Sequence, residues 1–269
     1  MTELMKNIID RKSVRTYDGR DLNSDDRRAV EEFIGDIPNP FDIPVKFVLL
    51  DAKEKGLSSP VLSGEKLYVA GLVEKKPYAD VAYGYSFEKL VLFARSLGIG
   101  TVWIGGTMKR ERFEEAAGKK ENEMMPCVSP LGYPAEKRGI KEVMMRKGIG
   151  ADNRYALEKL IFDGSWNTPL ADHKDMEDCL EMVRWAPSAV NKQPWRLIKK
   201  DNVWHFYEKK DKGYVSDATG DLQKIDVGIA LCHFCMALEE KGISPRVSVM
   251  DPGIAVPENV EYIASVTIP

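Results

Sequence analysis

The sequence lacks long apolar runs, carries little net charge and has few cysteines. No stretch approaches the run of about 18 apolar residues that a membrane-spanning helix needs, and the N-terminal segment has no signal-peptide core, so a cytoplasmic protein is expected. The net charge of −3 gives no overall positive field to attract nucleic acid or an acidic membrane. We therefore expect neither nucleic-acid nor membrane partners.

The four cysteines and three histidines show no pattern typical of metal binding or nucleophilic catalysis. Cys232 and Cys235 flank His233 in a CxxC spacing, but no second pair of ligands lies nearby in sequence, as a zinc site would require. Unpaired cysteines of this kind are most often buried helix residues. We expect no metal site, and the scattered histidines suggest no catalytic constellation.

What the chain does contain is an internal repeat. With 269 residues, of which 43% are apolar and 30% charged, it is long enough for one large or two ordinary domains. YGYSFEKLVLFARSLG at 83–98 aligns with VGIALCHFCMALEEKG at 227–242 at one constant offset. This alignment places Gly84 on Gly228, which is a first sign that two related segments share one structure.

The repeat continues on both sides of these segments. IPVKFVLLD at 43–51 corresponds to QPWRLIKKD at 193–201. No linker rich in proline or serine separates the two parts. The sequence therefore predicts two related halves, 1–160 and 161–269, that form one compact body.

Apolar periodicity and capping residues predict helices and strands that alternate along the chain. The predicted helices are 3–10, 24–35 with a Ser24 cap, 80–97, 109–117, 156–162, 172–185 with an Asp172 cap, and 222–241. The predicted strands are 45–50, 66–74, 101–104, 124–131, 195–199, 203–208, 244–250 and 260–268, and 136–155 is expected to be irregular. The two longest helices are apolar around most of their surface, so they should pack together in a layered α/β or α+β fold.

A basic turn after the first helix occurs only in the first half. It contains Arg11, Lys12, Ser13 and Arg15, so that two guanidinium groups and a hydroxyl lie at alternate positions. Guanidinium is a planar, permanently charged donor suited to bidentate contacts with phosphate. Taken alone, such a turn is more typical of a solvated basic surface.

A polar turn occurs only in the second half, where a predicted helix ends before Pro187. Ser188, Asn191 and Gln193 offer neutral donors and acceptors that suit the edge of a heterocycle. The alternative is an ordinary turn in which Ser and Asn cap local backbone groups. Because the basic and polar turns stand in different halves, we expect one ligand site built jointly by both.

These motifs resemble the FMN-dependent nitroreductase family, in particular members with two tandem, diverged halves. RKSVR at 11–15 resembles the family's Arg-x-Ser-x-Arg turn, and APSAVNKQPWR at 186–196 resembles its APSxxNxQPW turn. LGIGTVWIGG at 97–106 and PLGYPAEKR at 130–138 resemble two further family segments. The resemblance implies an α+β, three-layer α/β/α nitroreductase-like fold whose halves form an intramolecular pseudo-dimer.

The resemblance also implies which residues bind FMN. The phosphate and ribityl end would be held by Arg11, Lys12, Ser13, Arg15 and Arg154, with Arg146 as an alternative to Arg154. The ring would be lined from both halves by Pro187, Ser188, Ala189, Asn191, Gln193, Trp103, Ile104, Gly105 and Gly106. We call 103–106 the glycine segment, and one of its backbone amides would lie near the flavin N5.

The first half departs from the family pattern where its own polar turn would be expected. Aligned without gaps, Pro38, Phe41 and Ile43 stand in place of the serine, asparagine and glutamine. Conversely, LEKLIFDGSWN at 157–167 resembles the N-terminal LMKNIIDRKSVR with its arginines gone. The resemblance thus implies one retained FMN site and a mirror pocket, where Trp166 also replaces a polar group, that holds no flavin.

The function implied by the resemblance is hydride transfer from NADH or NADPH, through FMN, to an electron-poor acceptor such as a nitro compound or a quinone. No general acid can be identified, so no side chain is assigned a catalytic role. A flavin-binding carrier or sensor without turnover is one alternative, and a protein without flavin is another. The fused halves predict a monomer that binds one FMN per chain and acts on a small-molecule substrate.

Overall fold

A computed structural model describes residues 2–171 and 173–269 as a mixed α/β protein in which two long helices pack between two sheets. The helices are α1 (Glu3–Asp10), α2 (Ser24–Phe33), α3 (Ala79–Ser96), α4 (Arg110–Ala117), α5 (Ile140–Gly148), α6 (Glu177–Trp185) and α7 (Leu222–Glu240). The first-half strands are β1 (Val45–Asp51), β2 (Leu67–Glu74), β3 (Glu123–Met124) and β4 (Val128–Leu131). The remaining strands are β5 (Ile161–Asp163), β6 (Trp195–Lys200), β7 (Val203–Lys209), β8 (Val215–Ser216), β9 (Gly220–Asp221), β10 (Arg246–Ser248) and β11 (Val260–Thr267).

Each half contributes one main sheet. In the first sheet β2 is central, since it pairs antiparallel with β1 on one side and with β3 and β4 on the other. The second sheet has the order β10-β11-β7-β6-β5, antiparallel except for β5, which joins β6 in parallel. Helix α3 packs on the first sheet and α7 on the second, so the two sheets enclose the helix pair.

The two central helices cross at a pair of glycines that are related by the internal repeat. A Cβ atom on Gly84 would lie 2.1 Å from the carbonyl oxygen of Ile225, and one on Gly228 would lie 2.2 Å from that of Val81. These two contacts exchange under the sequence offset that superimposes the repeats. The helices therefore approach closely through glycine, and the interface has approximate two-fold symmetry.

The strand pairs of the two sheets also correspond to each other. Val45 opposes Val73 in the first sheet, and Trp195, which aligns with Val45, opposes Glu208 in the second. The strand pairs β1–β2 and β6–β7 thus share one register. Their equivalence makes Glu208 the counterpart of Val73, so a buried carboxylate in one half replaces an apolar side chain in the other.

Most predicted elements are confirmed to within a few residues, including the packing of the long helices. The N-cap of α2 is Asn23 rather than Ser24, because the Asn23 side chain accepts a hydrogen bond from the Asp26 amide at 2.8 Å. The predicted Asp172 cap lies outside the described residues, and α6 begins only at Glu177 after a 3-10 turn. The predicted strand 101–104 reduces to isolated bridges, and 124–131 divides into β3 and β4.

Two segments differ more strongly from prediction. The basic stretch 136–155, expected to be irregular, contains α5, whose buried positions are the charged residues Glu142 and Arg146, so no apolar periodicity could reveal it. The predicted helix 156–162 is a 3-10 turn at Leu157–Lys159 followed by β5. Because Ile161 pairs with Leu197 in the second sheet, this segment is not the structural counterpart of α1, despite its similar sequence.

Within the described parts of the chain, 2–171 and 173–269, no helix is long and apolar enough to cross a membrane. The same residues contain no cluster of three or more His, Cys, Asp or Glu side chains arranged for a metal ion. Cys232 and Cys235 are free cysteines that are buried in α7, as expected for helix core.

Candidate functional site

The basic turn leaves α1 at Arg11 and runs beside Thr101. The Val14 amide donates to the Thr101 carbonyl at 2.9 Å, and Ser13 forms a parallel bridge with Thr101. Gly100 permits this approach, since a Cβ atom there would lie 2.9 Å from the Val14 side chain. The backbone therefore fixes the direction of the arginine side chains on either side of Ser13.

Four arginines converge near this turn. Arg11 and Arg15 come from the turn itself, Arg146 from α5 and Arg154 from the loop after it. Buried nitrogen atoms on three of them have no hydrogen-bond partner among the described residues, namely Nε and Nη1 of Arg11, Nη1 of Arg15 and Nε of Arg154. Leaving a buried charged donor unpaired costs on the order of 1–3 kcal/mol, so the cluster is suited to an anion with several acceptor oxygens.

The electrostatics of the cluster agree with this reading. Burial lowers the pKa of Arg11, and the neighbouring Arg146 lowers it further against the opposing effect of Glu88. Burial followed by the charges of Arg11 and Arg184 lowers the pKa of Arg154 to about 10. Like charges thus lie together where solvent screens them poorly, and a bound anion would reduce their repulsion.

Acidic partners neutralise only part of this charge. Asp152 accepts from Arg146 at 2.6 Å and from Lys12 at 3.5 Å. Glu142 accepts from the Arg15 amide at 3.0 Å, so this carboxylate contacts the backbone of the turn. The cluster keeps a positive balance.

The polar turn of the second half faces this cluster across a small cavity of about 50 Å³. The cavity is lined from the first half by Arg11, Lys12, Ser13, Arg146, Ile149, Ala151, Asp152 and Arg154, and from the second half by Pro187, Ser188 and Asn191. Residues far apart in sequence are therefore brought together as the divided motifs predict. The structure does not place Arg15, Ala189, Gln193 or the 103–106 segment on the wall of this cavity.

The polar turn has a strained backbone that is held in place by hydrogen bonds. Val190, Asn191 and Gln193 have φ angles of 51°, 57° and 51°, in the left-handed region that non-glycine residues rarely occupy. The Ser188 hydroxyl accepts from the Gln193 amide at 2.8 Å. The turn is thus a costly conformation that the surrounding structure maintains.

A buried carboxylate on α7 anchors the same turn. Both oxygens of Asp226 lie within reach of the Ala189 amide, at 3.1 and 3.0 Å. Burial raises the pKa of Asp226 well above its usual range, and the bond from Ala189 opposes that shift. This acid aligns with Ala82 in α3, so the first half has no counterpart for it.

The amide side chains of the turn contact the loop that carries Arg154. The Asn191 amide group donates to the Gly150 carbonyl at 2.7 Å and to the Asn153 carbonyl at 3.0 Å. The Gln193 side-chain oxygen accepts from the Tyr155 amide at 2.9 Å. Arg154 lies 3.4 Å from the Asn191 side-chain oxygen, which links the two predicted groups directly.

The glycine segment lies close to the start of α7. Trp103 is half-buried and its indole nitrogen donates to Glu88 at 3.2 Å, while Ile104 is buried in a bridge to Val128. The Gly105 carbonyl accepts from Arg110 at 2.6 Å. Gly106 is exposed and a Cβ atom there would meet nothing within 4 Å, so space at this position is open.

Sequence reasoning missed a buried polar pair under this segment. Glu88 of α3 and His233 of α7 are both fully buried, and the carboxylate lies 3.0 Å from the imidazole Nε2. Arg11 lies 3.9 Å from the same carboxylate oxygen. The available signal was a glutamate and a histidine in the middle of two helices whose central positions are mostly apolar.

Comparisons with known proteins identify the family and the fold of this chain. A family model described as "Putative TM nitroreductase" matches residues 3–238. A relative from Archaeoglobus fulgidus, named "Putative NADH dehydrogenase/NAD(P)H nitroreductase", is 28% identical over 177 residues, which cover 60% of this chain and 97% of that protein. A crystal structure of a "putative nitroreductase" from Thermotoga maritima MSB8 shares the fold, with a TM-score of 0.63, 18% identity, and coverage of 99% of this chain and 94% of that chain.

Proposed function

The chain belongs to the nitroreductase family whose model it matches over residues 3–238, and we propose on this premise that it is an FMN-dependent oxidoreductase. This membership confirms the resemblance that the sequence motifs indicate. The observation that carries the proposal is the arginine cluster: Arg11 and Arg154 have unpaired buried donors and line one cavity with the polar turn of the other half. A flavin phosphate supplies the charge and the acceptor oxygens that those donors need.

The residues at the site fit the phosphate end of FMN. Arg11, Arg15 and Arg154 would hold the phosphate through donors that lack partners among the described residues. Ser13 adds a hydroxyl and Lys12 a further positive charge on the same wall. Because guanidinium groups fix both position and orientation of a phosphate, the turn would define how deeply the cofactor enters.

The ring would lie between the polar turn and the glycine segment. Pro187, Ser188, Ala189 and Asn191 would line it from the second half, with Gln193 in support. Trp103, Ile104, Gly105 and Gly106 would line it from the first half, where the absence of a side chain at the two glycines permits close approach. Asp226 keeps the polar turn rigid through the Ala189 amide, which preorganises this wall.

When bound, FMN would supply the redox chemistry, which is transfer of a hydride from NADH or NADPH to an electron-poor acceptor such as a nitro compound or a quinone. The protein's own contribution is binding, orientation and exclusion of water. We assign no side chain as a general acid, since a solvent proton suffices for this reaction type.

The proposal is tested by the visible spectrum of the purified protein after incubation with FMN. Bound flavin that loses its oxidised absorption bands when NADH or NADPH is added without oxygen, and regains them with a quinone, is the expected result. Absence of flavin bands at excess FMN would overturn the proposal.

A flavin-binding carrier or sensor is a second candidate because the Asn191 and Gln193 amides are already bonded to the 150–155 loop. A carrier needs the phosphate cluster but not a ring wall open to a nicotinamide. A yellow protein whose flavin is not reduced by NADH or NADPH under anaerobic conditions would favour it.

We also propose that the halves 1–160 and 161–269 function as an intramolecular pseudo-dimer, so that the active species is a monomer. The approximate symmetry at Gly84 and Gly228 supports this, because one chain already supplies both sides of the helix interface. Size-exclusion chromatography with light scattering tests it, with one chain per particle expected and two chains contradicting it.

A further inference from the structure

The buried pair Glu88–His233 joins the two central helices beside the arginine cluster. The imidazole Nδ1 lies 2.9 Å from the Met182 backbone carbonyl of α6, and Nε2 lies 3.0 Å from Glu88 Oε1. A carbonyl oxygen can only accept, so Nδ1 must carry a proton. The other carboxylate oxygen accepts from the Trp103 indole at 3.2 Å.

This geometry fixes how many protons the pair holds. With a proton on Nδ1, the contact between Nε2 and Oε1 is a hydrogen bond only if one of these two atoms also carries a proton. The pair is therefore either imidazolium with carboxylate or imidazole with carboxylic acid. In both forms its net charge is zero, so the pair compensates a neighbouring cation less than a free carboxylate would.

Arg11 is the third group in reach. Its Nε lies 3.9 Å from Glu88 Oε1, beyond hydrogen-bond distance, and both Nε and Nη1 lack partners among the described residues. If Glu88 were a free carboxylate, it could turn to this guanidinium and pair with it. Glu88 is instead bonded to His233, and the two Arg11 nitrogens keep their donors for another acceptor.

We propose that His233 is a positioning residue for anion binding: by sharing a proton with Glu88 it keeps Arg11 available for the phosphate of the ligand. The inference rests on the proposed function, since the anion is taken to be the phosphate of FMN. The His233 ring bonds to Glu88 and to the Met182 carbonyl, so its effect on Arg11 would pass through Glu88.

The mirror positions carry no such pair. By the internal repeat, Glu88 aligns with Cys232 and His233 aligns with Lys89. Lys89 is half-buried and its ammonium lies 3.4 Å from the Pro38 carbonyl. The ionisable pair therefore serves one side of the pseudo-dimer, which is the side that carries the arginine cluster.

The test compares the affinities of the flavin-free protein for FMN and for riboflavin, which lacks the phosphate. In His233→Gln the neutral amide cannot hold the shared proton, so Glu88 should pair with Arg11. FMN affinity should then fall at least about tenfold, while riboflavin affinity should stay within about twofold. Glu88→Gln alone should retain FMN affinity, because a neutral amide does not neutralise Arg11.

The double variant separates this mechanism from a loss of packing. Glu88→Gln/His233→Gln should recover FMN affinity relative to His233→Gln, since the competing carboxylate is gone. Equal loss of FMN and riboflavin affinity in His233→Gln, or no recovery in the double variant, would overturn the inference. If the native protein binds neither flavin, the proposed function itself fails, and this outcome is distinct from the first two.

A measurement on protein that needs no His233 substitution guards against misfolded variants. In flavin-free protein labelled with 15N at its histidines, one ring should show a proton on Nδ1 and a second, slowly exchanging proton shared with Glu88. That second signal should be lost in Glu88→Gln. A native spectrum in which Nδ1 carries no proton, or in which no hydrogen-bonded proton lies between Nε2 and Glu88, would overturn the inference.

Discussion

The polar turn at 186–193 and its counterpart at 36–43 occupy the same place in the two halves but are stabilised differently. In the first half Asn39 satisfies its own turn, accepting from the Phe41 amide at 3.1 Å and donating to the Ile43 carbonyl at 2.7 Å. In the second half a buried acid from α7 holds the turn at Ala189. Both turns thus bond to a central helix, but α3 offers the first turn the neutral Ser86 hydroxyl, 3.1 Å from the Asn39 amide, whereas α7 offers the second turn a buried acid.

The two turns differ in backbone strain as well as in the buried charge beside them. Three residues of the second turn have left-handed backbone angles, whereas in the first turn only Asp42 does, with φ of 52°. The ring of Phe41 stacks on Tyr78 at 6.0 Å, so this position contributes packing rather than a polar contact. Backbone strain of this kind clusters at ligand sites, and here the second turn carries more of it than the first.

The largest effect is expected from substitutions at the approximately symmetric interface between α3 and α7. Gly84→Ala and Gly228→Ala would each place a Cβ atom about 2 Å from a backbone oxygen of the opposite helix. Both should lower the free energy of unfolding by about 3 kcal/mol or more, because the helices must separate. Urea denaturation measures this.

Gly148→Ala in α5 is the matched control, since a Cβ atom there would meet nothing within 4 Å. It should leave stability unchanged or raise it by up to about 1 kcal/mol. If only one of the two interface glycines were sensitive, the helix interface would not have the approximate symmetry described above.

The next effect concerns the basic turn, which has no equivalent in the second half. Arg15→Ala should weaken FMN binding by about 10- to 100-fold, because it removes a charged donor to the phosphate. Riboflavin binding should change little. Fluorescence titration measures both, with Arg27→Ala on the exposed face of α2 as the control.

A smaller effect is expected from the buried acid that replaces Val73. Within 2–171 and 173–269, neither oxygen of Glu208 has a hydrogen-bond partner, and burial, reinforced by Asp221, raises its pKa to about 8. The folded state therefore binds a proton more tightly than the unfolded state, so stability should fall as the pH rises from about 4.5 through 8. Above pH 8 the native protein should be less stable by on the order of 2 kcal/mol.

Glu208→Gln removes this titration, so its unfolding free energy should decrease less than that of the native protein between pH 5 and pH 9. Glu258→Gln, at an exposed position, should keep the native pH dependence. Identical pH profiles for Glu208→Gln and the native protein would show that this carboxylate is not a buried charge.

The smallest predicted effect is on FMN affinity, when aligned positions of the two turns are substituted. Asn191→Ala should weaken FMN binding about fivefold, since one neutral hydrogen-bonding group is lost. Phe41→Ala, at the aligned position of the first turn, should leave FMN affinity unchanged. Comparable losses in both variants would mean that the two turns do not differ in their relation to the ligand.

Regular apolar patterns explain why much of the fold could be predicted. The long helices were predictable because most of their positions are apolar, and the aligned glycines indicated that the two segments are related. Helix α5 could not be predicted, since the residues that it buries, Glu142 and Arg146, are charged and serve contacts with the basic turn. Strand β5 was mistaken for a helix because its place is fixed by pairing with β6, which local sequence does not encode.

The candidate site was predictable as far as its motifs are contiguous in sequence. Both turns stand out as polar or basic clusters, and the structure brings Arg11, Ser13, Arg154 and Ser188 to one cavity. Asp226 and the pair Glu88–His233 were not predicted, because each lies in a mostly apolar helix and belongs to no contiguous motif. Their partners come from other elements, so only the tertiary structure reveals what they contact.

The central claim is that the site built by the basic turn of the first half and the polar turn of the second binds flavin. The symmetry-related pocket of the pseudo-dimer does not. The most direct test is the number of FMN molecules bound per chain at saturation, measured by released flavin against protein concentration. We predict one FMN per chain, lost on substitution of Arg15 and retained on substitution of Phe41. Two FMN molecules per chain would contradict the claim.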